Sequence, residues 1–113
     1  MLTREHILAA QDRASEDVAV PEWGGAVRVS AMSGAQRDHF EQSLLVDGRP
    51  DTTNAHAKLV AACVVDESGE PLFSAADIEA LGKKSAAALG RIVAVARRLN
   101  RLGTDELEVA KGN

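Results

Sequence analysis

The stretch Val20–Phe40 reads V-P-E-W-G-G-A-V-R-V-S-A-M-S-G-A-Q-R-D-H-F, and its reading decides the fold. Val18 and Val20 alternate with Asp17 and Ala19, and Val27 and Val29 alternate with Arg28 and Ser30. A period of two puts each pair of valines on one face of a half-buried strand. Between the runs, Pro21 fixes its own φ, and Gly24 and Gly25 accept the positive φ that a tight reversal needs. The segment therefore reads as a β-hairpin with one valine face. At Ser33 the period changes. Ser33 is an N-cap and Gln36 stands three residues on, the spacing of a capping box. Two strands alone are marginally stable and the rest of the chain is patterned for helix, so the hairpin requires a partner surface.

Upstream, Thr3 caps a first helix, and Leu2 and Ile7 have the spacing of a hydrophobic staple; the helix should fade at Asp12–Ser15. Downstream, a second helix is expected from Gly34 to Val46, with Phe40 and Leu44 on one face. Asp47-Gly48-Arg49-Pro50-Asp51 breaks it. A cap among Asp51–Asn54 starts a third helix whose apolar face is Leu59, Val60, Cys63 and Val64. After the turn Asp66–Pro71, Ser74 caps a short helix ending near Gly82, with Asp77 at its third position and Phe73 stapled onto Ile78. The last helix, about Lys84 to Leu102, carries the stripe Leu89, Ile92, Val93, Ala96, Leu99 and ends at Gly103 as the C′ residue. The expected architecture is α+β and predominantly α-helical, one N-terminal β-hairpin followed by about four helices. Residues 1–103 form a single domain, and 104–113 form a short, charged C-terminal tail expected to fray.

The totals agree with one small domain: 113 residues, 45% hydrophobic but only 3% aromatic. A core of Ala, Val and Leu suits closely packed helices, and a chain of this size buries roughly two-thirds of its unfolded surface. The net charge of −4 disfavours nucleic acid as the default partner. A single Cys63 excludes an internal disulfide and points to a reducing compartment. No signal peptide is expected in Met1–Asp12, nor any membrane span, because no apolar run approaches the required length.

No catalytic set can be assembled. Cys63 and His56 share a predicted helix, but seven residues separate them by about 10 Å along its axis, too far for a nucleophile and its base. Cys63 falls on the apolar face and is read as a small buried hydrophobe. His6, His39 and His56 sit on three different helices with no ligand spacing, so no metal and no cofactor are implied. Gly24-Gly25 lacks the pattern of a phosphate loop. Two features suit protein contacts. Trp23 at the hairpin loop, with Val27, Arg28 and Val29 on the strand after it, could cover the core or anchor a partner. Lys83, Lys84, Arg91, Arg97, Arg98 and Arg101 form a span without acidic residues. That span suits a protein-docking face, with Arg91, Arg98 and Arg101 as candidates, or a solvated one. Without interleaved aromatics it is a poor nucleic-acid platform.

The hairpin motif V-P-E-W-G-G-A-V-R-V followed by M-S-G-A-Q-R-D-H-F-E-Q-S-L resembles the tail assembly chaperones of long-tailed bacteriophages and related prophages. The run L-V-A-A-C-V-V-D-E-S-G-E-P-L-F-S-A-A-D-I-E-A-L-G-K-K-S-A-A-A-L-G-R-I and the closing V-A-V-A-R-R-L-N-R-L extend the likeness over about Leu2 to Leu102. The resemblance implies a non-enzymatic chaperone of tail assembly. It would bind the tape-measure protein, keep that long helical chain soluble and help recruit subunits of the major tail-tube protein. It would work in the cytoplasm of the bacterial host and be absent from the mature virion, with a second copy of itself among its expected partners as a homo-oligomer. The family often makes a longer frameshifted product; this chain resembles the short one. The alternatives are a small nucleic-acid-binding regulator using Lys83 to Arg101, and a structural tail or connector component.

Overall fold

The computed structural model describes residues 1–102, so the expectations for Gly103 and for 104–113 fall outside the described residues. Helix α1 (Arg4–Ala9) is capped by Thr3, whose hydroxyl accepts from the His6 N–H. Strands β1 (Ser15–Val20) and β2 (Gly25–Ser30) form the hairpin, joined by a 3-10 turn, Pro21–Trp23, that closes on Gly24 at φ 75°. Their antiparallel register pairs Glu16 with Val29, Val18 with Val27 and Val20 with Gly25, so all four valines share one face. That face meets the core, where Val20 and Val29 are fully buried. On the other face, Asp17 stands opposite Arg28 and accepts from its guanidinium at 2.8 and 3.3 Å.

Helix α2 (Gly34–Ser43) begins with the expected capping box. Ser33 Oγ accepts from the Gln36 N–H at 3.1 Å, and Gln36 Oε1 accepts from the Ser33 N–H at 2.8 Å. It stops earlier than expected. Leu44 is its C-cap, and β3 (Leu45–Val46) pairs with β4 (Arg49–Pro50) in a miniature hairpin. Asp47 and Gly48, at φ 52° and 75°, are the cause: this dipeptide favours a tight two-residue reversal with both φ values positive. Helix α3 (Ala55–Cys63) is preceded by Asn54 in the left-handed region, with no bond from its side chain to the helix. The Asp51 carboxylate instead organises the lead-in, accepting from the Thr53 N–H and hydroxyl.

Val64 does not continue α3. With Val65 it forms β5, which pairs antiparallel to β2 through Arg28↔Val65 and Val29↔Val64. The sheet order is β1-β2-β5, so β2 is central and the hairpin has a third strand. After a turn in which Asp66 accepts from Ser68 and Glu70, Leu72 donates back to Val64 O at 3.1 Å. A short 3-10 segment, Ala75–Asp77, leads into α4 (Ile78–Gly82); the Asp77 carboxylate accepts from the Ser74 N–H at 2.9 Å. Helix α5 (Ala86–Leu99), capped by Ser85, presents Leu89, Ile92, Val93 and Ala96 to the core. It lies against α3 and the hairpin, placing the sheet on one side of a layer of helices.

Candidate functional site

The residues expected to make protein contacts fall into three situations. Val29 is buried to 0% exposure and belongs to the core, which removes its side chain from any docking surface. The strand alternation that identified it as apolar is the same alternation that turns it inward. Val27 packs partly buried against that core. Arg28 lies on the opposite face but is engaged by Asp17, and its backbone is in the central strand, flanked by β1 and β5. The edge strands are β1 and β5; the β5 edge is met by the Pro71–Leu72 segment, which bridges Val65 and donates to Val64 O, and no such segment is described along β1.

Arg91 and Arg98 lie two turns apart on α5, and the hairpin neutralises both. Arg91 Nε donates to Glu22 Oε1 at 3.0 Å and Oε2 at 3.2 Å, and Arg98 Nη2 donates to both Glu16 oxygens at 2.8 Å. The register explains the second pair, because Glu16 continues the valine face of β1 and so points toward α5. The Glu22 carboxyl is held below its ordinary value first by its own backbone N–H and next by Arg91. The span from Lys83 to Arg101 is therefore not a continuous field of free positive charge; two of its arginines clamp the hairpin. Arg101 is exposed at φ 53°, just beyond the end of α5. Trp23, 36% exposed, sits in the hairpin turn, which lies beside α5.

Cys63 is 1% exposed, and burial pushes its thiol up to about 12 despite a hydrogen bond from Asn100 Nδ2 to Sγ at 3.5 Å. A thiol so placed stays protonated and out of reach of a substrate. Asn100 is a tie the sequence gives no sign of: its Oδ1 accepts from the Met32 N–H at 2.6 Å, its Nδ2 donates to Ala96 O, and its carbonyl accepts from Arg37. Among the described residues, no group of three or more His, Cys, Asp or Glu is placed to hold a metal ion. No helix among them is long and apolar enough to cross a membrane.

Two apolar surfaces went unread in the sequence. One is a groove of about 370 Å³ between α2, α3 and the segment leading into α4, with Phe40, Ala61, Ala62, Phe73 and Ile78 in its lining. Lys58, whose ammonium donates to Ser43 O at 2.6 Å, and His39 add positive and polar character. The other is α1, which buries none of its residues and leaves Leu2, Ile7 and Leu8 at 72%, 55% and 68% exposure. The groove arises from packing three separate segments, so no local pattern announces it. Leu2 and Ile7 were legible as the two ends of a hydrophobic staple, but spacing alone does not separate a covered apolar pair from an uncovered one.

The family model for phage tail assembly chaperones matches residues 3–112, nearly the full chain. The chain belongs to the phage tail assembly chaperone family. Its fold is similar to a solved structure, the tail assembly chaperone of bacteriophage HK97, with a TM-score of 0.61 and 20% sequence identity. The match covers 88% of this chain and 94% of that one. No curated protein matches it. The family supports a role for this chaperone in tail assembly through contact with phage tail proteins, and it is a family of chaperones rather than of enzymes.

Proposed function

We propose that this chaperone binds the tape-measure protein, keeps it soluble while the tail is built, and brings tail-tube subunits to it in the host cytoplasm before leaving the finished particle. The family match over 3–112 carries the reading. The apolar groove, open among the described residues, and the exposed Trp23 supply the kind of surface that an aggregation-prone helical client requires. Paired Arg91 and Arg98 on a chain of net charge −4 disfavour nucleic acid as the client. Trp23 with Val27, and Arg101 beyond α5, remain the proposed contacts from the hairpin and helix ends.

Co-expression with the tape-measure protein of the same phage tests this. The soluble fraction of the tape measure should rise several-fold with the chaperone and fall when Trp23→Ala or Ala62→Arg, each folded by circular dichroism, replaces the wild type. A tape measure equally insoluble with and without the chaperone would overturn the reading. Finding this chain as a stoichiometric part of purified particles would favour a structural component instead.

A further inference from the structure

The groove between α2, α3 and the segment leading into α4 has charge of one sign. Lys58 and His39 stand in its lining among Phe40, Ala62, Phe73 and Ile78, and no carboxylate lines it. On a chain of net charge −4, such a hollow suits an acidic occupant with apolar side chains. The end of the described chain lies close by. The buried Leu102 donates its N–H to Arg97 O at 2.8 Å, and Arg101, at φ 53°, donates to Arg98 O, the two bonds of a Schellman end. Asn100 accepts from the Met32 N–H and offers its carbonyl to Arg37. These bonds pin Leu102 beside the start of α2, and Ala35 and Gln36, in the first turn of that helix, form one wall of the groove. After Leu102 the sequence runs G-T-D-E-L-E-V-A-K-G-N, in which Asp105, Glu106 and Glu108 surround Leu107 and Val109.

We propose that the segment 104–111 of the same chain seats Leu107 and Val109 in the α2–α3–α4 groove, with Glu108 toward Lys58, and shields the groove until a client displaces it. The reach is sufficient. Four extended residues span about 13 Å, more than two turns of helix at about 5.4 Å each, and Leu107 is the fifth residue after Leu102. The charges match as well. Lys58 already donates to Ser43 O at 2.6 Å, and an ammonium has further protons to give a carboxylate. Leucine and valine side chains gain by leaving water for a hollow of about 370 Å³. As a free peptide so short a segment would bind weakly. The tether raises its effective concentration to the order of millimolar, so even weak seating is well populated within one chain. A client then competes with the segment, and its apparent affinity falls by the fraction of chains whose groove is open. That consequence rests on the client reading above; the seating itself does not.

Methyl NMR on the isotope-labelled full chain, with no client present, tests the seating. Ala110→Cys carries a nitroxide, and Cys63, buried and protonated, stays unlabelled. The methyl signals of Ala61, Ala62 and Ile78 should lose at least half of their intensity relative to the reduced label. Dilution with an excess of unlabelled chain should leave that loss unchanged. Adding Leu107→Asp and Val109→Asp together should restore most of the intensity, and so should Ala35→Glu, which puts a carboxylate on the groove wall. An acid at position 35 lies in the first turn of α2, where the helix dipole favours it. If Ala35→Glu does not fold, Ala75→Glu, on the segment leading into α4, takes its place. Full intensity at the groove methyls, a loss that vanishes on dilution and so comes from a second copy, or an equal loss with Leu107 and Val109 replaced would each overturn the proposal. No tape measure enters the measurement, so its failure and the failure of the client reading are separate results.

Discussion

Asn100 illustrates how much of this fold turns on single contacts between distant residues. Asn100 supplies the acceptor for the Met32 N–H at the exit of β2 and ties α5 to the start of α2. Asn100→Ala leaves that part-buried N–H without its acceptor and should lower stability by about 1–3 kcal/mol, read from the urea midpoint. A shift below about 0.5 kcal/mol would mean that water replaces the amide. Gly82 lies so close to Asn54 that a Cβ at position 82 would overlap the Asn54 amide oxygen. The obstructing atoms are the end of the exposed Asn54 side chain, which makes no bond to the helix and can swing into solvent, so Gly82→Ala should change stability by less than about 1 kcal/mol, read from the urea midpoint. A loss above about 2 kcal/mol would mean that the Asn54 side chain is held in place. Cys63, buried and protonated, should react with a thiol reagent only as fast as the domain opens, which quenched labelling measures.

At the scale of elements, the decisive arrangement is the central position of β2. An isolated hairpin would expose one edge of each strand, and Arg28 would lie on one of them. Here Val64 and Val65 close that side. Arg28→Pro consequently breaks a ladder inside the sheet and removes the Asp17 ion pair. We expect a loss of about 3 kcal/mol or more by chemical denaturation, where an edge position would tolerate proline. Retention of the wild-type midpoint would count against the pairing of β2 with β5. The same packing explains the arginines of α5. The helix stripe fixes which side faces the core, and Arg91 and Arg98 then flank that stripe at the height of Glu22 and Glu16.

For the whole molecule, pH reports how its exposed carboxylates are used. Asp17 is held below its ordinary value of 3.8 first by the hydrogen bond from the Arg28 side chain, Asp51 first by the Thr53 backbone N–H, and Asp66 first by the Ser68 hydroxyl. A carboxyl lowered in the folded state contributes stability that is fully present above its unfolded pKa and lost as pH falls through the folded one. The melting temperature should therefore change little between neutrality and about pH 5, then decline with further acidification. Asp17→Asn should flatten the acid limb, and an unchanged limb would remove the Asp17–Arg28 pair from the account.

By itself the sequence determined what local chemistry can determine. Alternating valines gave the hairpin and its buried face, the Ser33–Gln36 spacing gave the start of α2, and the stripe from Leu89 to Ala96 gave the core face of α5. Each depends on residues a few positions apart, within reach of backbone geometry. Even the short hairpin after α2 was written in Asp47-Gly48, although Phe40 and Leu44 kept to a helical spacing that favoured a longer helix. The tertiary structure alone decided the rest. Val64 and Val65 leave α3 because the open side of β2 satisfies their backbone groups and buries their side chains together. Asn100 meets Met32, and Arg98 meets Glu16, across 68 and 82 residues. The groove exists only where three segments converge, and α1 is left bare because no other segment among the described residues packs over it. Hydrogen bonds and apolar burial between distant segments depend on where packing puts them, and packing is a property of the whole chain rather than of any stretch in it.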